Sequence, residues 1–309
     1  MPSGSKLCTV VVNWNRANDT VECIRSLRLG GVEGNRIIVI DNGSTDESAT
    51  RIVSECPEAE LHRMGRNLGY AKGANAGMTL ALADRPDFIF FLNNDAVVGE
   101  RSVLKLIEGL QRHPDCALAG PKILYYGTDR IWFAGGSYNH ILGYSKHPGM
   151  DRQDDGGGIE GKVDFITGCA SMVRRELIER IGGFDEDFNM YAEDIEYGFR
   201  AREAGFGSLY VPGAVVSHKV SSSTGVPGTN VMTPQRSFYY ARNMILFVLK
   251  RIPWPERFTC FMGQFAISLP YYSAMIAMQR VKGGLGAYLR GIGSALKWAV
   301  SRDRPGRSD

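Results

Sequence analysis

Phe88-Ile89-Phe90-Phe91-Leu92-Asn93-Asn94-Asp95 is the stretch whose reading decides the fold. Its apolar run, rich in aromatic and β-branched side chains, predicts a short strand buried on both faces. The run stops on three small polar residues that could not stay unpaired inside a core. In an open α/β sheet, ligands collect at the carboxyl ends of strands, and this is such an end. Asp95 is the anionic group there. A carboxylate so placed suits a hard divalent cation holding a diphosphate. It could equally cap a helix beginning near Arg101.

Upstream, Leu7 to Val12 predicts a first strand ending at Asn13-Trp14-Asn15. Asp19 with Glu22 three positions on reads as a helix-start capping pair, opening a helix to about Leu29. Arg36 to Ile40 is a second buried strand, ending at Asp41-Asn42-Gly43-Ser44-Thr45-Asp46, with Ser44 or Asp46 capping a helix through about Glu55. A short strand near Leu61, a polar loop from Gly65 to Gly69 and a helix from about Tyr70 to Ala83 lead back to the Phe88 strand. This rhythm predicts a parallel sheet with right-handed crossovers. Three strand ends then present Asn13, Asp41 and Asp95 together. No G-x-G-x-x-G follows the first strand and no G-x-x-x-x-G-K-[ST] occurs, so dinucleotide and P-loop sites are disfavoured and a mononucleotide gripped by side chains remains.

Downstream the pattern is mixed. A helix over about Arg101 to Arg112 precedes strand-like segments at Ala117–Leu124 and Ile131–Ala134, with a turn at Gly135-Gly136. Asp151 to Gly161 reads as a mobile surface loop. Val163–Ile166, Cys169–Val173, Leu209–Val211 and Ala214–Ser217 are strand-like, and Glu193-Asp194-Ile195-Glu196 opens a helix to about Ala204. Phe258 to Met278 carries no formal charge and is long enough to span a bilayer, but its aromatics concentrate at its centre rather than its edges. Lys250, Arg251, Arg257, Arg280, Lys282, Arg290 and Lys297, interleaved with Trp254, Tyr288 and Trp298, suit helices lying at an anionic membrane interface or packed on the main domain. Ser301 to Asp309 reads as a disordered tail.

Composition is that of an ordinary globular protein, with 44% hydrophobic and 22% charged residues. A net charge of +3 is too small to argue for nucleic acid. Six scattered cysteines without a C-x-x-C pair favour reduced thiols, and the short polar Met1–Lys6 start suggests no secretory signal, so chemistry is expected on the cytoplasmic side.

Candidate chemistry follows from residue type. A diphosphate leaving group needs a cation to absorb its charge, and Asp95 and His218 are the ligand-type side chains just beyond strands. Read alone, His218 could be structural. Displacement at an anomeric carbon needs a base for the acceptor hydroxyl. Asp194 and Glu193 are candidates, and Asp185 is a decoy. Asp41 could accept the imide N–H of a uracil or thymine, and Trp14 could stack on that ring.

The order of motifs resembles the family 2 glycosyltransferases, in their bacterial rhamnosyltransferase-like branch. The residues that carry it are Val11-Val12-Asn13-Trp14-Asn15, Val39 to Asp46, Asn67-Leu68-Gly69 with Asn75, Asn93-Asn94-Asp95, Thr167-Gly168-Cys169, Gly183-Phe184-Asp185, Glu193-Asp194, His218 and Tyr239-Tyr240-Ala241-Arg242-Asn243. The resemblance covers roughly Leu7 to Lys250. It implies the GT-A nucleotide-diphospho-sugar transferase fold, an α/β architecture with a mixed, mostly parallel sheet. Residues 1–250 would be catalytic (1–100 nucleotide-binding, 101–250 acceptor and catalytic), 251–300 a helical extension, and 301–309 a tail.

It further implies that Asn13, Trp14, Asn15, Asp41, Asn67, Gly69, Asn75 and Asn94 bind the nucleotide. Asp95 and His218 would hold Mg²⁺ or Mn²⁺, and Asp194, beside Glu193, would be the base of an inverting displacement. Gly135, Gly136, Thr167, Gly168 and Arg242 would face the donor sugar or acceptor. Asn93 departs from the pattern, standing where many members carry a carboxylate, so metal binding would lean on the sugar diphosphate. The expected partners are a UDP- or dTDP-sugar, a glycan or lipid-linked acceptor and the cytoplasmic membrane face, without nucleic acid. A loop around Gly156-Gly157-Gly158 would close over the donor. The rival classes are a non-catalytic nucleotide-sugar-binding or scaffold protein and a nucleotidyltransferase. The latter would need a basic, glycine-rich triphosphate loop, which Asn13 to Asn18 does not provide.

Overall fold

The computed structural model describes residues 6–32, 34–220 and 231–302. The expected tail therefore lies outside it, apart from Ser301 and Arg302, and so does the start of the chain before Lys6. Four parallel strands form the first half: β1 (Leu7–Asn13), β2 (Arg36–Asp41), β3 (Ala59–Arg63) and β4 (Phe88–Asn93), in the order β3-β2-β1-β4. Helices α1 (Ala17–Ser26), α2 (Ser48–Glu55) and α3 (Tyr70–Leu82) make the crossovers. Phe88 to Leu92 are all buried because sheet neighbours flank β4 and side chains cover both of its faces. Phe90 is fully enclosed, and truncating it to alanine would cost ~3–5 kcal/mol.

The second half completes a mixed sheet. After β5 (Ala96–Val98) and α4 (Ser102–Arg112) come β6 (Cys116–Tyr125), β7 (Ile131–Phe133), the small hairpin β8 (Ser137–Asn139) and β9 (Tyr144–Lys146), then β10 (Gly161–Val163) and β11 (Ala170–Arg174). Helices α5 (Arg175–Ile181) and α6 (Glu193–Glu203) precede β12 (Gly207–His218). β11 runs antiparallel between β4 and β6, while β12 lies parallel to β6. The two strand-like segments expected before His218 are one strand, interrupted by a bulge between Val211 and Val215. β12 also pairs with β5, setting His218 opposite Ala96. That register brings the end of β12 beside Asp95.

Three expectations change. Asp19 and Glu22 do not form a capping box, and α1 opens on Arg16 in the left-handed region with no side-chain cap. Their carboxylates instead grip Lys219 Nζ, each at 2.6 Å, pinning the chain beyond β12 to α1. Phe165 makes only an isolated bridge to Gly136 rather than extending a strand to Ile166. The Gly156–Gly158 segment is tied down on its own side, Lys122 Nζ donating 2.7 Å bonds to Asp154 Oδ1 and to the Gly157 carbonyl.

The carboxyl-terminal region is helical: α7 (Pro234–Arg251), α8 (Glu256–Gly263), a π-helical turn at Gln264–Ser268, α9 (Leu269–Met278) and α10 (Gly284–Arg302). Met244, Leu246, Phe247 and Val248 of α7 join the main core, and α10 runs along α7. No described helix is long and apolar enough to cross a membrane.

Candidate active site

A cavity of about 280 Å³ opens at the carboxyl ends of β1 and β4. Its lining includes Trp14, Asn67, Gly69, Asn94 and Asp95 from the first half of the chain, and Thr167, Gly168, Glu193, Asp194 and His218 from the second. On one side, His218 Nε2 lies 3.1 Å from Asp95 Oδ1, and both residues are buried. Burial opposes the charged imidazolium, but the adjoining Cys169 and Asp95 outweigh it and raise the His218 pKa to about 10. Trp132 packs edge-on to the imidazole, ring centres 4.5 Å apart, which fixes the plane of the ring.

The acid pair sits at the amino end of α6. Tyr191 and Ala192 are both in the left-handed region, at φ of 66° and 67°. Such backbone is costly for residues with a side chain and persists only where surroundings impose it. Here α7 imposes it. Asn243 Nδ2 donates to the carbonyls of Met190 (2.7 Å) and Tyr191 (2.9 Å), Arg242 Nη1 donates to that of Asp187 (2.7 Å), and Asn189 Nδ2 donates to Tyr239 Oη (2.9 Å). Gly69 meets the same segment from the other side. At φ +86° it leaves no room for a Cβ, which would fall 1.4 Å from Asn189 Oδ1.

The two acids are unequal. Asp194 accepts the backbone N–H of Gly168 (3.1 Å) and of Ile195 (2.9 Å). Burial raises its pKa, and those donors oppose the rise. Glu193 is pushed well above the usual carboxylate range by burial and then by the charge of Asp194, and its Oε2 has no hydrogen-bond partner. Both carboxyls are thus held above their usual range, and of the two Asp194 has the more backbone donors that favour an anion. Tyr70 Oη donates to the Gly168 carbonyl at 2.9 Å, anchoring the glycine whose N–H Asp194 accepts.

Asn13 and Asp41 lie just beneath the cavity wall. Asn13 Nδ2 donates to Asp41 Oδ1 (2.9 Å) and to Ser44 Oγ (3.0 Å), while Asn94 Nδ2 donates to Asn13 Oδ1 (3.3 Å) and Thr20 Oγ1 (3.0 Å). Asn15 joins the loops after β1 and β2, taking the Thr45 N–H at 2.8 Å. This network links Asp41 to the residue beside Asp95.

Residues 8–182 match the family described as Glycosyl transferase family 2. The chain belongs to that family. It is 30% identical over 253 residues to an N-acetylglucosaminyl-diphospho-decaprenol L-rhamnosyltransferase of Mycobacterium tuberculosis, covering 75% of this chain and 82% of the relative. It is 22% identical over 253 residues to the dTDP-rhamnosyl transferase RfbF of Shigella flexneri, covering 80% and 81%. Among solved structures, GalNAc-T7 with UDP, GalNAc and Mn²⁺ aligns with TM-score 0.65 at 15% identity, covering 99% of this chain and 59% of that one. The fold is thus the GT-A fold that the motifs implied, and the protein is a glycosyltransferase, similar to rhamnosyltransferases.

Within this family 2 glycosyltransferase, several expected site residues stand off the cavity. Asn75 brackets the Phe184 backbone, donating to its carbonyl (2.9 Å) and accepting its N–H (2.8 Å). Gly135 and Gly136 face Val163, Tyr210 and the Phe165 ring. Arg242 reaches Asp187 instead of a ligand, because the acidic segment's carbonyls lie within its span. Asp185, the decoy, pairs with Lys250. Gly156, Gly157 and Gly158 do not line the cavity either. Conversely, Tyr70, Trp132, Tyr191, Arg236 and Tyr240 line it without having been foreseen. They are far apart in sequence and carry no local pattern. Only Tyr240 lies in a segment the sequence singled out.

The donor set can be tested for a cation. Two adjacent ligands of an octahedral shell at about 2.1 Å stand about 3.0 Å apart, so the 3.1 Å Asp95–His218 separation fits such an edge. Among the described residues no group of three or more His, Cys, Asp or Glu is arranged to hold a metal ion. The remaining positions would fall to donor oxygens and water.

Proposed function

We propose that this protein is an inverting glycosyltransferase that moves a sugar, rhamnose first among candidates, from a dTDP- or UDP-sugar to a hydroxyl of a lipid-linked glycan. The carrying observation is a single cavity with the Asp95–His218 edge on one side and Asp194 on the other. The Mycobacterium relative's diphospho-decaprenol acceptor and the Shigella relative's dTDP-rhamnosyl name support the acceptor and donor classes.

Asp95 and His218 would hold Mg²⁺ or Mn²⁺, which when bound supplies positive charge to the departing diphosphate. Trp14 offers its ring to the base, and Asp41, buried behind the wall, steadies Asn13 and through it Asn94, which does line the cavity. Asn67 and Gly69 line the donor side. Asp194, held by two N–H donors, takes the proton of the acceptor hydroxyl as that oxygen attacks the anomeric carbon. Glu193, neutral beside it, spares Asp194 a second repelling charge. Residues 1–250 form the catalytic body in this reading, and 251–300 an extension at the cytoplasmic membrane face.

A panel of nucleotide-sugars, with dTDP-rhamnose first, tests the reading by thermal shift and by transfer, with and without Mn²⁺. We expect a Mn²⁺-dependent shift with one dTDP- or UDP-sugar, lost in Asp95→Ala. Full metal-dependent donor binding in that variant would remove Asp95 from the site.

A further inference from the structure

A second, narrow cavity of about 60 Å³ adjoins the first, beneath the carboxyl-terminal helices. Its walls are α7, the end of α8, the π-helical turn, α9, α10 and the β8–β9 hairpin, and they are mostly apolar or aromatic, among them Phe261, Phe265, Leu269, Tyr272 and Ile292. Tyr240 and Met244 belong to both cavities, one face of each toward the carboxylates and the other toward the groove. Tyr240 Oη and Tyr272 Oη are hydrogen-bonded to each other, which satisfies two phenols that would otherwise be stranded among apolar side chains.

The groove is too tight for a sugar ring and presents too few polar groups to hold one. It suits a thin hydrocarbon chain. Its outer surroundings agree, since Trp254, Phe258, Met262 and Phe265 recur at helical spacing and are all more than half exposed. Leu285, Leu289, Leu296 and Val300 form a second exposed apolar row along α10, each at least 42% exposed. Apolar rows of that extent left in solvent mark a docking surface. Arg280, Lys282, Arg290 and Lys297 are exposed around them.

We infer that this groove is the subsite for the first isoprenoid carbons of a polyprenyl-diphosphate acceptor, the rest of the chain passing over the exposed rows of α8 and α10. The inference rests on the lipid-linked acceptor proposed above and adds where its tail goes. The glycan end then lies in the large cavity near Asp194, the diphosphate near the Tyr240–Met244 threshold, where Arg236 also lines the wall, and the hydrocarbon beyond it. The chain's apolar burial supplies affinity that a headgroup alone lacks.

The test measures binding to the full chain by calorimetry with farnesyl diphosphate, dimethylallyl diphosphate and inorganic diphosphate, all as monomers in solution. Expected is at least a tenfold gain from inorganic diphosphate to the farnesyl compound. Ile292→Trp and Ser268→Trp, which fill the groove from opposite walls, should each abolish that gain. Their Mn²⁺-dependent donor shift should stay at the wild-type value, which also certifies folding. Equal affinity for the three probes, or an unchanged farnesyl preference in both filled variants, would overturn the subsite. Loss of the donor shift in the wild-type protein would instead strike the transferase reading, so the two failures are distinguishable.

Discussion

At Asp194 and Glu193, two neighbouring carboxyl groups are separated by their donors. Asp194 has the Gly168 and Ile195 amides; Glu193 Oε2 has none. Asp194→Asn keeps the shape but cannot accept a proton, so kcat should fall by ~10²–10⁴-fold with donor affinity preserved, as measured by turnover beside thermal shift. Glu193→Gln mimics the protonated acid and should lose less than about fivefold in turnover, within the ordinary cost of an isosteric change. Stability separates them further. Glu193 stays protonated in the folded state at pH values where the unfolded chain has ionised it, so its contribution is present below its unfolded pKa and is lost as pH rises toward its raised folded pKa. Glu193→Gln should therefore raise the melting temperature at pH 8 and leave it unchanged at pH 4. A melting temperature lowered at pH 8 and unchanged at pH 4 would mean that Glu193 is ionised in the fold.

At the scale of elements, α7 is what makes the α6 amino end usable. Asn243→Ala releases the Met190 and Tyr191 carbonyls, so the left-handed turn at Tyr191–Ala192 loses its restraint. We expect kcat to drop roughly tenfold to a hundredfold with donor KM nearly unchanged, plus ~1–3 kcal/mol of stability, from the paired polar groups left bare. A split in which KM rises and kcat holds would assign Asn243 to the ligand instead. This contact also shows where sequence reading stops. Periodicity and polar strand ends located β1 to β4 and the three positions Asn13, Asp41 and Asp95, because those features are local. The Tyr239–Asn243 segment was visible as a motif, yet its task was not. Arg242 was expected at the donor or acceptor and instead holds Asp187, more than fifty residues away, a pairing fixed by how α7 crosses α6. The same holds for Asp19 and Glu22, whose spacing spelled a capping box while tertiary contact gave them Lys219. The short strands β5, β8 and β9 escaped notice because three residues hold too little pattern to read.

For the molecule as a whole, the exposed apolar rows and basic residues lie on the same carboxyl-terminal helices, while the rest of the surface carries few large apolar side chains. Burying those rows in a bilayer interface would stabilise an attached state, and each Lys or Arg near an anionic surface adds about 1 kcal/mol at low salt. The catalytic cavity, sharing Tyr240 and Met244 with the helical layer, would then open within reach of a membrane-held substrate. Co-sedimentation with vesicles of phosphatidylglycerol and phosphatidylcholine should show binding that weakens as salt rises, because screening removes the charge contribution and leaves the apolar one. Pure phosphatidylcholine vesicles should retain much less protein. Lys282→Glu with Arg290→Glu should lower the anionic-vesicle affinity by at least tenfold, whereas Phe258→Ser with Met262→Ser should weaken binding at every salt concentration. If both double variants bound as the parent does, the attachment face would lie elsewhere and the apolar rows of α8 and α10 would need a different cover.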